Sequence, residues 1–409
     1  MGFNVAVLHP DLGVGGAERL IVDATVALQT KDHDVAVYTG YHDQTRCFEE
    51  TINGTVEVIT IGRWIPRSIF GRFHAIMAYL KMMFIAIYLS FSAKSYQLIL
   101  CDQVSACIPI IKLTNLISGS KSRIVFYCHF PDQLLTTRES FIKRIYRLPL
   151  DLFEEWSTGL ADVILVNSEF TKKTVKRTFK SLKDRDLRVL YPCVDVEKFD
   201  GRRPSHEDCQ NLKLKHGLLG KKFILLSLNR FERKKELEAA VIQFKRLVYE
   251  SEPRENSSYH LIVAGGYDSR LEECVSYFSD LVDLTNDDVL HEKVTFLKSP
   301  SDMEKLILLE ICDALVYTPQ NEHFGIVPIE AMAMRRPVIA CASGGPLETI
   351  EHGKNGYLCS HDEMYRYMKQ LATRPEIRSQ MGENGFRRAI DRFSFATFRD
   401  QLNQLCFGV

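Results

Sequence analysis

Glu322 and Glu330 are separated by seven residues, and His323, Phe324 and Gly325 lie between them. The run DALVYTP before them reads as a short apolar strand ending in a Thr-Pro loop. After Gly325, apolar Ile326, Val327, Ile329, Ala331 and Met332 recur at near-helical spacing. The stretch therefore predicts strand, loop, helix start. A helix start presents unpaired backbone N–H groups and the positive end of the helix dipole, which suit an anion or an array of hydroxyls. Glu322 is expected in the loop, and Glu330 about two turns into the helix. A second group is cationic. Arg230, Arg233, Lys234 and Lys235 stand between the apolar run Phe223–Leu228 and a helical pattern beginning near Glu236. Cations at the end of a parallel strand can neutralise a pyrophosphate, although a charge run is also commonly a solvated face. Ser343, Gly344 and Gly345 form a glycine turn before a helix, a further place for a phosphate.

The first half carries its own candidates. NVAVLH (Asn4–His9) is a buried-strand run, and PDLGVGGAERL leads from it into a helical pattern that continues to about Thr30. Gly13, Gly15 and Gly16 allow a tight turn and close approach of the backbone to a ligand. The glycines do not complete a GxGxxG, and no acidic ribose partner ends the next strand, so a nicotinamide dinucleotide is not indicated. A phosphate cradle and a plain tight turn both remain open for this loop. His129 follows directly after the strand run RIVFYC. An end-of-strand histidine beside Phe-Pro-Asp is placed to meet a ligand, and a structural histidine is the alternative. Asp32-His-Asp34 and Asp184-Arg-Asp186 fit the short DxD pattern of metal sites. Neither follows a strand, and no metal is expected through them.

These residues need a scaffold that ends several strands at one edge. Strand runs at Asp34–Thr39, Val56–Ile61, Leu98–Asp102, Arg123–Cys128, Val163–Val166 and Val189–Tyr191 alternate with helical patterns. His260–Gly266, Lys293–Leu297, Ala314–Pro319 and Pro337–Ala340 continue the alternation in the second half. The fold class is α/β with parallel, doubly wound sheets, whose ligands bind beyond the strand C-termini. A chain of 409 residues suits two domains. A polar, charged stretch from Asp195 to Lys222 marks the boundary, giving domains 1–195 and 196–390 and a terminal helix over 391–409. Lys plus Arg and Asp plus Glu are both 52, so bulk charge gives no reason to expect nucleic acid. Eleven scattered cysteines with no CxxC argue against a disulfide framework or a zinc site.

Two segments bear on membranes. Arg67–Ser92 carries Arg67 and Arg72, then AIMAYLKMMFIAIYLSFS, interrupted by Lys81. A core helix, an interfacial or re-entrant helix and a membrane span all fit its composition. A single span would put Gly13–Gly16 and His129 on opposite sides of a bilayer, so the interfacial reading is preferred. Phe141–Trp156 mixes Lys143, Arg144 and Arg147 with aromatic residues, which suits a surface against anionic lipid or a lipid pyrophosphate. An amphipathic surface helix is the alternative.

The spacing of Glu322 and Glu330 around Phe-Gly resembles the donor-site motif of retaining glycosyltransferase family four, which has the GT-B fold. That resemblance implies two Rossmann-like domains facing a cleft, with the terminal helix packing back toward the first domain. The first domain would serve the acceptor and lipid, and the second would bind the nucleotide sugar. It implies that Glu322 contacts the transferred sugar and Glu330 the ribose. Backbone amides around His323, Phe324, Gly325 and Ile326 would hold sugar and phosphates. Arg230 and Lys235 would hold the donor pyrophosphate, and the glycine loop would reach toward it. His129 would contact the sugar near the acceptor. The segments HPDLGVGGAERL, CDQVSACIP, FYCHFPD, ERKK, LIVAGGYD and NEHFGIVP bring the match closest to the mannosyltransferases of the endoplasmic-reticulum dolichol pathway. That closer likeness implies GDP-mannose as donor and a dolichol-pyrophosphate-linked oligosaccharide as acceptor. Work at the cytosolic face of the membrane, and other mannosyltransferases of that pathway as partners, are implied too. No cofactor or metal is implied. A retaining enzyme with a different nucleotide sugar, and a non-catalytic nucleotide-sugar sensor at the membrane, are the alternatives.

Overall fold

The computed structural model describes residues 2–69, 73–136, 141–201 and 203–408, apart from the side chains of 142, 143, 198 and 200. Arg72 and the Lys143 side chain, both singled out above, lie outside the described residues. The chain divides into two compact units, Met1–Cys193 with Phe395–Val409, and Val194–Ser394.

The first unit holds seven parallel strands. They are β1 (Asn4–His9), β2 (Asp34–Thr39), β3 (Glu57–Thr60), β4 (Leu98–Asp102), β5 (Arg123–Cys128), β6 (Val163–Val166) and β7 (Leu187–Val189). Their order across the sheet is β3-β2-β1-β4-β5-β6-β7. The strands are near-continuous apolar runs because helices cover both faces. On one face Val5, Val7, Leu98, Leu100 and Val125 pack with Leu20, Ile21, Ala24 and Leu28 of helix Gly16–Gln29. Phe398, Leu402 and Cys406 of the terminal helix Phe395–Phe407 join the same cluster. On the other face Ala6, Leu8, Ile99, Cys101, Ile124 and Phe126 pack with Met82, Ile85, Ala86 and Leu89 of helix His74–Ser90.

That last helix is the apolar segment for which an interfacial or re-entrant membrane position was preferred. Its inner face belongs to the sheet core, as the core-helix alternative has it. Lys81, which breaks the apolar run, is buried and pairs with Asp11 at 3.0 Å; Arg67 reaches the same carboxylate at 3.0 Å. A buried ammonium requires such a partner. Among the described residues no helix is long and apolar enough to cross a membrane. The outer side still exposes Leu80, Ile87 and Tyr88, with Phe73 and Phe91 exposed at its two ends.

The second unit repeats the plan with six parallel strands. They are β8 (Phe223–Leu228), β9 (Tyr259–Gly265), β10 (Val294–Lys298), β11 (Ala314–Tyr317), β12 (Val338–Cys341) and β13 (Gly356–Cys359), in the order β10-β9-β8-β11-β12-β13. The four-residue edge strand β13 was not anticipated. The order reverses between β1 and β4 in one sheet and between β8 and β11 in the other. Such switch points are where doubly wound sheets take ligands, beyond the strand C-termini. Gly265, at the end of β9, has φ 153°, and a Cβ there would lie 1.7 Å from the Asn229 carbonyl oxygen. Only glycine lets the ends of β8 and β9 approach so closely.

Candidate active site

In the second unit the residues of interest gather beyond the C-termini of β8 and β11. Lys235 closes the 3-10 turn Arg233–Lys235, and Glu236 follows in the left-handed region at φ 50°. The Thr318 hydroxyl, just past β11, donates to the Lys235 carbonyl at 2.6 Å and ties the two strand ends together. The Lys235 ammonium pairs with the Glu322 carboxylate. The Tyr317 hydroxyl bonds the same carboxylate. Burial alone would raise the Glu322 pKa; the Lys235 charge, with smaller help from His323 and Tyr317, leaves it below the usual carboxylate value. Burial and the Glu322 charge push the Tyr317 phenol well up.

The loop carrying Glu322 is held from behind. Ser343 Oγ accepts from the Asn321 N–H at 2.9 Å, and the Gly345 N–H donates to the Glu322 carbonyl at 2.8 Å. Gly344 has φ 66°, and a Cβ there would sit 2.3 Å from the Glu322 carbonyl oxygen. Ser343 and Gly344, expected beside a phosphate, thus build the seat of the Glu322 loop. Phe324 is buried with its ring 6.0 Å from Phe393. Gly325, at φ 82°, caps helix Ile326–Ala333. Glu330 is the fifth residue of that helix, so it stands little more than one turn in, not two. The helix begins at Ile326 because Gly325 supplies the left-handed cap. Lys305 pairs with Glu330 Oε1 at 2.6 Å, and the buried Oε2 has no hydrogen-bond partner. Sequence reasoning missed Lys305, Tyr317 and Thr318.

The cationic cluster separates into different environments. Lys235 is 12% exposed, whereas Arg230 is 64% exposed and pairs with Glu232 at 3.0 Å. The Arg230 stem lies over Gly266, where a Cβ would come within 3.1 Å of it. Arg233 pairs with Asp280 at 2.6 Å and Lys234 with Glu232 at 3.0 Å, both at the surface.

In the first unit three neighbouring strands end on polar residues. His9 ends β1, Asp102 ends β4, and His129 follows β5. Asp102 Oδ2 lies 2.8 Å from His9 Nδ1, and Asp102 Oδ1 lies 2.8 Å from His129 Nε2. His9 and Asp102 are fully buried, and the His129 side chain is 20% exposed. Burial would raise the Asp102 pKa, but the two imidazoles leave it below the usual value. Burial would lower the His9 pKa, but Asp102 leaves it above its usual value. His129 was anticipated; His9 and Asp102 were not.

Gly13, Gly15 and Gly16 have no positive φ, so no left-handed turn requires them. A Cβ on Gly16 would meet nothing within 4 Å. What glycine provides at that position is an uncovered backbone. Asp32 and Asp34 lie at the start of β2, and Asp184 and Asp186 just before β7, at the N-terminal strand edge. Among the described residues no group of three or more His, Cys, Asp or Glu could hold a metal.

Helix Phe141–Gly159 supports the His129 region. Its Glu154 accepts from the backbone N–H of Asp132 at 2.7 Å and of Gln133 at 3.2 Å. Its Ser157 shares a 2.6 Å hydrogen bond with Ser105, just past Asp102. Arg147, one of the basic residues that suited a lipid-facing surface, is instead buried and pairs with Asp132 at 2.8 Å. The helix is turned polar side in. Arg147, Asp151, Glu154, Ser157 and Thr158 are buried, while Phe141, Ile145, Leu148, Leu152 and Trp156 are exposed.

Comparison with known proteins agrees with this geometry. The family model described as Glycosyltransferase Family 4 matches residues 14–198, and that described as Glycosyl transferases group 1 matches 209–388. The Homo sapiens alpha-1,3/1,6-mannosyltransferase ALG2 is 46% identical over 404 residues, covering 98% of this chain and 94% of the relative. Its Dictyostelium discoideum counterpart is 43% identical, covering 98% and 97%. Among solved structures, a glycosyltransferase from Rickettsia africae superposes with a TM-score of 0.75 at 15% identity over all of both chains. Anabaena HepE gives 0.72 at 20% identity over 99% of this chain and 100% of that one. Identities that low speak to the fold alone. The relatives establish that this chain is a glycosyltransferase with two Rossmann-like GT-B domains, belonging to the alpha-1,3/1,6-mannosyltransferase family.

Proposed function

We propose that the chain transfers mannose, with retention, from GDP-mannose to a mannosyl-chitobiosyl-pyrophosphoryl-dolichol, making the alpha-1,3 and alpha-1,6 branches in turn. The observation that carries this reading is the Lys235–Glu322 pair beyond β8 and β11, backed by Lys305–Glu330. Lys235 and Arg230 hold the donor pyrophosphate. Glu322 holds the mannose. Glu330 takes a ribose hydroxyl on its unpartnered Oε2, a buried acceptor that a donor O–H would satisfy. The backbone around His323–Ile326 faces sugar and phosphate, and the Gly13–Gly16 loop offers uncovered backbone to a phosphate.

Transfer breaks the bond between mannose C1 and the phosphate oxygen and forms the bond from C1 to the acceptor oxygen. The departing phosphate takes the acceptor proton, so no protein base is needed. Negative charge grows on the leaving GDP, and Lys235, Arg230 and the amides at the start of helix Ile326–Ala333 stabilise it. Lys235 is already fixed through Thr318 and Glu322, so little reorganisation accompanies the step. These cations supply the charge that a divalent metal supplies in other transferases, and we propose a reaction without one. His129 takes a sugar hydroxyl near the acceptor.

The finer localisation, the cytosolic face of the endoplasmic-reticulum membrane, is also proposed. Its support is helix Phe141–Gly159. Phe141, Ile145, Leu148, Leu152 and Trp156 recur at helical spacing and are all exposed, with Leu113, Leu116 and Ile117 exposed on another helix of the unit. An outward apolar stripe on a helix with a buried polar face fits the headgroup–acyl boundary of a lipid surface.

The test offers purified protein in liposomes the mannosyl-chitobiosyl-pyrophosphoryl lipid and a panel of nucleotide sugars, and weighs the product. A gain of two hexoses from GDP-mannose is expected. A gain of one would assign the second linkage elsewhere. Gain only from a UDP-sugar would overturn the donor, and no gain from any donor would favour a sensor.

A further inference from the structure

The polar chain His9–Asp102–His129 is built with more care than a lone ligand-contacting histidine requires. Three adjacent strands of one sheet, β1, β4 and β5, deliver one member each at the switch point. Asp102 is wholly buried, and burying a carboxylate costs several kcal/mol unless its oxygens are satisfied. Here each oxygen has an imidazole nitrogen at 2.8 Å. An ionised carboxylate only accepts, so each facing ring nitrogen must carry a proton. His129 is then protonated on Nε2, and its Nδ1 is the nitrogen not committed to Asp102. His9 is held through Nδ1, and its buried Nε2 has no partner.

We propose that Asp102, with His9 behind it, is a positioning residue that fixes the His129 tautomer, presenting Nδ1 as an acceptor for a sugar hydroxyl. The proposal rests on the reading of His129 as a sugar contact. His9 stands directly before the Pro10–Gly16 loop, so the same chain couples the seat of that loop to the orientation of His129. Tyr127, two residues before His129, lies tilted against its ring with centroids 4.8 Å apart and donates its hydroxyl to the Leu190 carbonyl at 2.8 Å. This restrains the ring from a second side.

The test is tautomer-resolved NMR on the full chain labelled with 15N-histidine, with the His129 and His9 signals identified by their loss in His129→Gln and His9→Gln. In the wild type His129 is expected protonated on Nε2, with Nδ1 bare. An amide donates where a carboxylate only accepts, so Asp102→Asn must offer an N–H to one of the two rings. It is expected to shift the His129 tautomer and lower kcat by about 10- to 100-fold with donor KM unchanged, the size of effect that losing the orienting partner of a metal-bound histidine has. His9→Gln is expected to lower kcat less and leave the His129 tautomer in place. A wild-type His129 protonated on Nδ1 would overturn the proposal even if every Asp102 variant failed to fold. An Asp102→Asn enzyme with unchanged tautomer and kcat would also overturn it. A fully active His129→Gln would instead overturn the sugar-contact reading, while the tautomer shift would still report the orienting role.

Discussion

The two units use one scaffold for opposite electrostatic purposes. Both sheets are parallel, both reverse order between their first and fourth strands, and both gather polar residues at that edge. In Val194–Ser394 the gathered residues are opposite full charges, Lys235 with Glu322 and Lys305 with Glu330. In the first unit they form one carboxylate between two imidazoles, and the polar face of helix Phe141–Gly159 is turned inward beside them. The charged edge can take up and release charge on a leaving phosphate. The histidine edge can orient hydroxyls while the unit keeps an apolar outer surface. The sheet sets where chemistry can happen; the strand-end side chains set which chemistry it is.

The sharpest way to break this contrast is to neutralise the charged edge. Lys235→Ala is expected to lower kcat by about 100- to 1000-fold, the loss of one preorganised charge of about 3 kcal/mol. Arg230→Ala, at a far more exposed position, should lower it by about 10-fold because solvent screens its charge. Steady-state kinetics on both variants ranks them, and equal losses would remove the distinction drawn between a buried and an exposed cation.

The apolar surface of the first unit comes next. Leu148→Ser with Leu152→Ser should weaken binding to vesicles by about 30-fold, since each exposed leucine is worth about 1–2 kcal/mol when it enters lipid. Co-sedimentation measures this, and turnover on a short-chain acceptor in solution should be spared. Lys305→Ala should raise the donor KM by about 10-fold with kcat nearly unchanged, because Glu330 would lose the ammonium it pairs with and the orientation that pair gives it.

The smallest effect concerns pH. Burial pushes the Glu154 pKa up to about 7, against the pull of the Asp132 and Gln133 N–H groups. Between the ordinary glutamate value and about 7 the unfolded chain has lost that proton while the folded chain keeps it. The folded state therefore binds more protons, and stability falls as pH rises through this window. Glu154→Gln should flatten that fall by a few degrees in the thermal midpoint between pH 5 and 8.

Much of the scaffold was legible because buried parallel strands are continuous apolar runs. Asn4–His9, Leu98–Asp102, Arg123–Cys128 and Phe223–Leu228 stand where their residues predict. The edge strand Gly356–Cys359 escaped because four residues carry too little pattern. Glu322 and Lys235 were legible as types at strand ends, but their pairing joins residues 87 positions apart. His9 and Asp102 are 93 positions apart, and only the order of β1 beside β4 brings them together. The orientation of helix Phe141–Gly159 was not legible. Its period separates Arg147, Asp151 and Glu154 from Leu148 and Leu152 but does not say which side faces the protein. The Asp132 carboxylate and the N–H groups of Asp132 and Gln133 decide it, by offering the buried Arg147 and Glu154 their partners.

The most direct measurement is mannosyl transfer from GDP-mannose to the lipid acceptor in excess chelator, followed by product mass. Lys235 and Arg230 carry the leaving-group charge in this account, so a product heavier by two hexoses should form at an undiminished rate. A rate that collapses in chelator and returns with added magnesium or manganese would contradict it.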